Sequence, residues 1–269
     1  MIVGVVTGDF SPITKEQVNT ILRWKKENKV HTIYVTTCSS SGIIHFEDRL
    51  KMLEIIFANY RNIFVSERIP KFDSYISLEL DSYWNFDVSI LDGRVCRYLI
   101  DNEILIYEIA KQFVSAKRWI HVESMTKIAI KLAQIHGVNT HKALVAGLFH
   151  DCTKQWDDNK TLMWLKIEGH KHIDEPITTL HQYTAVTFMK RVLRINDKEI
   201  LSAVGNHVSC NITSKLAKII YSSDKLDPSR GYDSSDTIKL CEMDLDAGVE
   251  EVKRQQEIYL NTRGKKNDL

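Results

Sequence analysis

Two kinds of hydrophobic pattern follow each other along the chain. In the first part, β-branched runs at residues 2–7 and 31–37 flank a segment, Lys15–Asn28, whose apolar residues have helical spacing. A strand, a helix and a strand within about 35 residues indicate a right-handed βαβ unit and a parallel sheet. The same patterns predict three further elements, namely a helix over Glu47–Tyr60 and strands at Asn62–Ser66 and Val88–Leu91.

From about Asp101 onward the pattern becomes helical, with little strand signal. Helices are predicted over five segments: Ser124–His136, Lys142–Phe149, Tyr183–Leu193, Lys198–Val208 and Ser214–Ser223. The chain has 269 residues, more than the usual length of one domain. We therefore predict two domains, an α/β Rossmann-like domain over residues 1–112 and an all-α helical bundle over residues 113–269.

Composition narrows the class of protein. An apolar fraction of 43% and a charged fraction of 26% are ordinary for a globular protein and exclude disorder as the main state. Thirty-six Lys and Arg against 35 Asp and Glu leave a net charge of +1, so we expect neither nucleic acid nor membrane as a partner. With no transmembrane run, no signal peptide and five cysteines that form no C-x-x-C pair, the sequence predicts a cytoplasmic protein with free thiols.

Candidate chemistry is concentrated in the helical part, where eight of the ten histidines lie between residues 121 and 207. His121 and His181 are expected to open helices, whereas His150-Asp151, His207 and Asp224 are expected to end them. Successive steps of 29, 30, 26 and 17 residues are each about one helix or hairpin long. In a bundle, such steps bring side chains from facing helices to one point in the core. Four imidazoles and two carboxylates without a thiolate favour Fe, Mn, Ni, Co or Mg over a structural zinc.

The dipeptide His150-Asp151 follows a strongly apolar helix. Burying an unpaired carboxylate there is costly, which makes a metal ion a natural partner. Because a carboxylate has two oxygens, Asp151 is suited to bridging two ions.

These motifs resemble a known family. The pattern H…HD…H…H…D is similar to the metal-dependent HD-domain phosphohydrolases, and the surrounding residues resemble the YqeK-type symmetrical bis(5'-nucleosyl)-tetraphosphatases. Four segments carry this likeness, which extends over about residues 116–250: Ala146–Lys154, Thr179–His181, Gly205–His207 and Ser223–Arg230.

The resemblance implies hydrolysis of a nucleotide, diadenosine tetraphosphate to two ADP, by one or two metal ions, with Fe preferred over Mn, Co, Ni or Mg. It also implies a role for each matching residue. Asp151 and Lys154 are the expected catalytic residues, and Lys154 and Arg230 are the expected phosphate contacts. The expected metal ligands are His121, His150, Asp151, His181, His207 and Asp224. A homodimer is compatible with this assignment.

The amino-terminal part resembles another family. Gly8, Phe10 and Pro12 match the G-x-F-x-P-x-H-x-x-H segment of nicotinate-mononucleotide adenylyltransferases, but Thr14 and Gln17 occupy the positions of the two histidines. Without those cations, the stabilisation of charge in adenylyl transfer is lost. We therefore expect a degenerate nucleotidyltransferase-like domain that has a structural, ligand-sensing or dimerising role.

Three alternatives remain open from the sequence. The helical domain fits an HD hydrolase of another phosphorylated nucleotide, such as a deoxynucleotide or a guanosine alarmone. The whole chain also fits a nucleotide-sensing regulatory protein. A bifunctional nicotinate-mononucleotide adenylyltransferase is disfavoured by Thr14 and Gln17.

Overall fold

The computed structural model describes residues 1–38, 43–81, 87–167, 169, 172–209, 212 and 214–267, with side chains up to residue 262. The chain divides into two compact units, Met1–Ile109 and Ala110–Leu269. Each unit has its own buried apolar core.

The first unit is built on a small parallel sheet. Its strands are β1 (Val3–Gly8), β2 (Thr32–Thr37), β3 (Ile63–Val65) and β4 (Ile76–Leu80), in the order β3-β2-β1-β4. Helices α1 (Lys15–Glu27), α2 (Phe46–Phe57) and α3 (Gly93–Asp101) accompany the sheet. This order is that of one half of a doubly wound fold, so the prediction of a Rossmann-like α/β domain is confirmed.

The predicted strand at Val88–Leu91 is wrong. Residues Val88–Ile90 form a 3-10 helix, because the Asp87 carboxylate accepts a hydrogen bond from the Ser89 N–H at 2.8 Å and favours a turn. The fourth strand is instead β4, which was not among the predicted strands. Its side chains are mostly exposed at the edge of the sheet, so it lacks the apolar face by which strands are recognised.

The N-terminus of α1 is closed by the two residues that replace the histidines. The Thr14 hydroxyl accepts from the Gln17 N–H at 3.1 Å, and the Gln17 side-chain carbonyl accepts from the Thr14 N–H at 3.0 Å. This reciprocal pair is a capping box. The Gln17 amide also donates to the Asp81 carbonyl at 3.3 Å. Both side chains are therefore engaged in capping the helix.

All regular elements among the described residues of the second unit are helices. After α4 (Ile106–Lys111), in which the two units divide, its helices are α5 (Ala116–Ile135), α6 (Thr140–Phe149), α7 (Asp158–Ile167), α8 (His181–Arg191), α9 (Lys198–Gly205), α10 (Lys215–Leu226), α11 (Ser235–Met243) and α12 (Leu245–Asn267). The predicted all-α bundle is confirmed. Helix α5 begins at Ala116 rather than at Ser124, and α7, α11 and α12 were not among the predicted helices.

Close packing of α5 against α6 sets the position of the His150-Asp151 dipeptide. A Cβ added at Gly147 would lie 2.7 Å from the Thr126 hydroxyl oxygen, so only glycine permits this approach. The Thr126 hydroxyl is turned back to the Val122 carbonyl at 2.6 Å. As a result, the end of α6 is held directly against α5.

No helix within the described ranges is long and apolar enough to cross a membrane. The thiols of Cys38, Cys96, Cys152 and Cys241 are free, as expected, whereas Cys210 lies outside the described residues.

Candidate metal centre

The six predicted ligands come together in the core of the helical unit. His150 and Asp151 directly follow α6, and His181 is the first residue of α8. His207 lies two residues beyond α9, and Asp224 is in the last turn of α10. His121 does not open its helix as expected but lies in the second turn of α5. All six side chains are buried.

Asp151 is at the centre of this cluster. Its Oδ2 lies 3.2 Å from His150 Nε2 and 4.0 Å from His121 Nε2. Its Oδ1 lies 3.2 Å from His181 Nε2 and 3.6 Å from His207 Nε2. The ligand atoms therefore form two groups of three that share Asp151, and within each group they lie within 4.8 Å of one another.

Asp224 adds a second carboxylate on the side of His121 and His150. Its Oδ1 lies 3.1 Å from His121 Nε2 and 3.9 Å from His150 Nε2. The first group of ligands thus gains a fourth candidate. Together the cluster presents nitrogen and oxygen donors on both sides of Asp151.

Backbone carbonyls orient three of the imidazole rings. Each ring has its Nδ1 close to the carbonyl oxygen three residues earlier: His150 to Gly147 (2.7 Å), His181 to Thr178 (3.0 Å) and His207 to Val204 (2.6 Å). Because a carbonyl oxygen only accepts, each Nδ1 must carry the proton in these contacts. The Nε2 lone pairs are then directed at the cluster, as in histidines that bind metal.

The fourth ring is oriented by a carboxylate. His121 Nδ1 lies 2.6 Å from Asp227 Oδ2, and Asp227 is fully buried. Burial raises the pKa of Asp227, but the hydrogen bonds from His121, Ser124 and Ser229 outweigh it and hold that pKa far below its usual range. A carboxylate behind a histidine is a common arrangement around metal ligands.

The protonation states of His181, His207 and Asp151 fit a bound cation. Burial lowers the pKa of His207 to about 4 and also lowers the pKa of His181, so both rings are neutral at pH 7. For Asp151, burial raises the pKa, but the surrounding imidazoles outweigh it and lower the pKa well below its usual range. Asp151 is therefore ionised at neutral pH.

Three of the converging atoms are buried without a hydrogen-bond partner among the described residues, namely His121 Nε2, His150 Nε2 and Asp151 Oδ1. Unpaired polar atoms in a protein core are costly. Nitrogen and carboxylate donors without thiolate suit Fe, Mn, Co or Ni. The residues present therefore fit a metal centre.

Three cations pair with the two carboxylates of the cluster. Arg118 Nε donates to Asp151 Oδ2 at 2.7 Å. Arg230 Nη2 donates to Asp224 Oδ1 at 2.6 Å, and Lys225 Nζ donates to Asp224 Oδ2 at 2.6 Å. Arg230 was predicted from the sequence, whereas Arg118 and Lys225 were not. The spacing of Arg118 three residues before His121 is the signal that was available, since residues at this spacing share one face of a helix.

Lys154 lies beside His181. Its Nζ is 3.1 and 3.2 Å from the two ring nitrogens of His181, and it donates to the Thr178 carbonyl at 3.2 Å. Burial lowers the pKa of this lysine. Lys154 is thus at the edge of the cluster, next to the second group of ligands.

A cavity of about 420 Å³, here called the cationic cavity, adjoins the centre. Lys117, Arg118 and Arg230 line it together with His121. An anionic ligand in this cavity would have a ligand residue of the cluster and three cations within reach.

Comparisons with known proteins agree with this geometry. Residues 118–229 match the family model of the HD domain. The chain is 27% identical over 155 residues to the symmetrical bis(5'-nucleosyl)-tetraphosphatase of Bacillus subtilis, a match that covers 56% of this chain and 83% of that protein. It is 29% identical over 160 residues to the probable nicotinate-nucleotide adenylyltransferase/Ap4A hydrolase of Mycoplasma genitalium, which covers 56% of this chain but only 45% of the relative.

A solved structure is similar as well. It is the crystal structure of a predicted HD superfamily hydrolase involved in NAD metabolism from Clostridium acetobutylicum. The TM-score is 0.55 at 27% identity, and the match covers 59% of this chain and 87% of that one. The matched residues, the buried His and Asp cluster and the helical fold agree with one another: residues 118–229 of this chain are similar to the HD domain.

Proposed function

We propose that the helical unit hydrolyses dinucleoside polyphosphates and cleaves diadenosine tetraphosphate symmetrically to two ADP. The HD domain and the named relatives support the broader class, a metal-dependent nucleotide phosphohydrolase. The observation that carries the proposal is the pair of buried ligand groups that share Asp151. In the reaction, water adds across the central phosphoric anhydride, so that its oxygen bonds to one phosphorus and the bridging oxygen leaves with the other ADP.

Six residues would hold the metal: His121, His150, Asp151, His181, His207 and Asp224. We propose iron as the metal, with manganese, cobalt, nickel or magnesium as alternatives, and one or two ions per site. When bound, such an ion polarises a phosphoryl oxygen and lowers the pKa of water. The carbonyl and carboxylate partners on the Nδ1 atoms keep the histidine rings in the tautomer that a metal requires.

The cations around the cluster would bind the polyphosphate. Arg230 and Arg118 line the cationic cavity, and each already pairs with a carboxylate of the cluster. A guanidinium presents a planar fork of donors that matches two phosphate oxygens. Lys154, beside His181, would neutralise charge that develops on the phosphoryl group in the transition state.

We propose that residues 1–112 form a nucleotidyltransferase-like domain without adenylyltransferase activity, followed by the hydrolase domain over residues 113–269. Thr14 and Gln17, which stand where the histidines would be, are both engaged in the capping box of α1. Neither side chain carries a positive charge with which to stabilise a triphosphate. A structural, sensing or dimerising role fits this unit better than catalysis.

Product analysis tests the proposed function. Purified protein reconstituted separately with Fe²⁺, Mn²⁺ and Mg²⁺ is incubated with diadenosine tetraphosphate, a deoxynucleoside triphosphate, a guanosine alarmone and AMP. The expected result is ADP as the product from diadenosine tetraphosphate, in a reaction that a chelator stops. AMP plus ATP as products, or turnover of the other nucleotides alone, would reject the symmetrical reaction.

A further inference from the structure

A cavity with an aromatic lining, here called the aromatic cavity, lies next to the cationic cavity of the same unit. Its volume is about 530 Å³, and it is lined by Arg230, Tyr232, Gln255, Gln256 and Tyr259. Arg230 lines both cavities, and its guanidinium pairs with Asp224 of the metal cluster. A ligand with its phosphates at the cluster would therefore have the aromatic cavity within reach.

The lining of this cavity suits a planar heterocycle. Tyr232 and Tyr259 are 43% and 49% exposed, so large parts of both side chains are accessible to a ligand. Aromatic side chains stack on every nucleobase, since each base has a π-face. Gln255 and Tyr259 are four residues apart on α12, which places them on one face of that helix.

Gln255 adds a hydrogen-bond acceptor of fixed orientation. Its amide nitrogen donates to Glu251 Oε1 at 2.8 Å and to the Thr237 hydroxyl at 2.9 Å. Because a carboxylate only accepts, the nitrogen and not the oxygen of the amide must face Glu251. Both amide protons are thereby used, and the carbonyl oxygen is the part of Gln255 that can accept from the amino or imino group of a base.

Another large cavity among the described residues of this unit is less suited to a base. It has about 520 Å³ and includes Tyr183 in its lining, but the Tyr183 ring is stacked on His172 with centroids 3.8 Å apart. The Tyr183 hydroxyl donates to Glu175 at 2.9 Å. One face of the Tyr183 ring is therefore covered. The lining of this cavity also includes none of the six candidate ligands of the metal cluster.

We propose that the aromatic cavity is a nucleobase subsite, in which Tyr232 and Tyr259 contact the base while the phosphates extend past Arg230 to the metal cluster. The inference rests on the proposed function and names how that site distinguishes a nucleotide from a bare polyphosphate. It assigns the stacking to the tyrosines and the hydrogen bonding to Gln255.

Calorimetric titration of the Mn²⁺-reconstituted full chain with ADP and with inorganic pyrophosphate tests the subsite. Wild-type protein should bind ADP more tightly than pyrophosphate. Tyr259→Ala should weaken ADP binding about tenfold, which is 1.4 kcal/mol, and should change pyrophosphate binding less than twofold. Tyr259→Phe retains the ring and should bind ADP like the wild type. Tyr183→Ala in the other cavity is the matched control and should leave both affinities unchanged.

The outcomes separate the subsite from the proposed function. Loss of ADP affinity in Tyr259→Ala with intact pyrophosphate binding supports the subsite. This holds even if the wild type hydrolyses no dinucleoside polyphosphate, a result that would reject only the proposed hydrolysis. If Tyr259→Ala weakens ADP and pyrophosphate binding equally, the subsite proposal is overturned. It is also overturned if neither Tyr259→Ala nor Tyr232→Ala weakens ADP binding, whatever the hydrolytic activity of the protein. Selective loss of ADP binding in Tyr183→Ala also overturns it, because the base would then occupy the other cavity. Thermal melts of each variant establish that it is folded.

Discussion

Replacing Asp151 by asparagine removes the residue that both groups of ligands share. The side chain is buried, has four histidine nitrogens within 4.0 Å and accepts a hydrogen bond from Arg118. Asparagine keeps nearly the same shape but loses the charge and turns one oxygen into a donor group. We expect Asp151→Asn to fold and to bind metal at neither group.

Two contributions set the size of the effect on stability. Breaking a buried ion pair costs about 3–5 kcal/mol. The Arg118 side chain is 26% exposed, so water solvates part of its charge and we expect about 2 kcal/mol in the metal-free protein. A free metal concentration of 100 times the dissociation constant stabilises the folded wild type by about a further 2.7 kcal/mol, and the variant does not gain this stabilisation.

Loss of the metal should also lower kcat about 10³-fold or more, which corresponds to about 4 kcal/mol in activation free energy.

The assay compares wild type and Asp151→Asn in denaturant unfolding with and without chelator, together with elemental analysis and turnover. Chelator should destabilise the wild type and leave the variant unchanged. Asp236→Asn, a replacement of an exposed carboxylate, is the control and should behave as the wild type in every measurement. Normal metal content and turnover in Asp151→Asn would refute the reasoning, because the reaction centre would then lie elsewhere.

Other predictions follow from the surroundings of the cluster. Asp227→Asn removes the carboxylate behind His121 and should weaken metal binding about 10–100-fold in a chelator competition. An unchanged affinity would show that Asp227 does not orient His121 for the metal. Arg230→Lys should lower kcat/KM about tenfold at matched metal occupancy because Lys lacks the planar fork, whereas equal values would limit Arg230 to pairing with its carboxylate. The free energy of unfolding of the metal-free protein should fall as the pH drops from about 6.5 towards 4, because His207 takes up a proton in the unfolded chain but not in the folded protein, where its pKa is about 4. His207→Gln should flatten this part of the stability profile. A wild-type profile that is already flat would contradict the prediction. The protein should make no dinucleotide from ATP and nicotinate mononucleotide, and synthesis that is lost on changing Thr14 or Gln17 would reverse this assignment.

The sequence by itself determined the kind of elements and the candidate ligands. Apolar periodicity depends on neighbouring residues, so it predicted the βαβ start of the first unit and the helical character of the second. It also placed His150-Asp151 at the end of a buried helix, as the structure has it. Periodicity did not predict strand β4, because the side chains of that strand are mostly exposed. It wrongly predicted a strand at Val88–Leu91, because the Asp87 cap favours a turn there.

Only the tertiary structure decided which groups act on those ligands. Asp227 orients His121 across 106 residues of sequence, and Arg118 reaches Asp151 across 33. The aromatic cavity joins residues of α12 to Arg230 in the same way. Periodicity and capping are properties of a few successive residues, whereas these contacts exist only after helices distant in sequence have packed together. The candidate ligands could therefore be predicted from the sequence, whereas Asp227 and Arg118 could be recognised as their partners only in the structure.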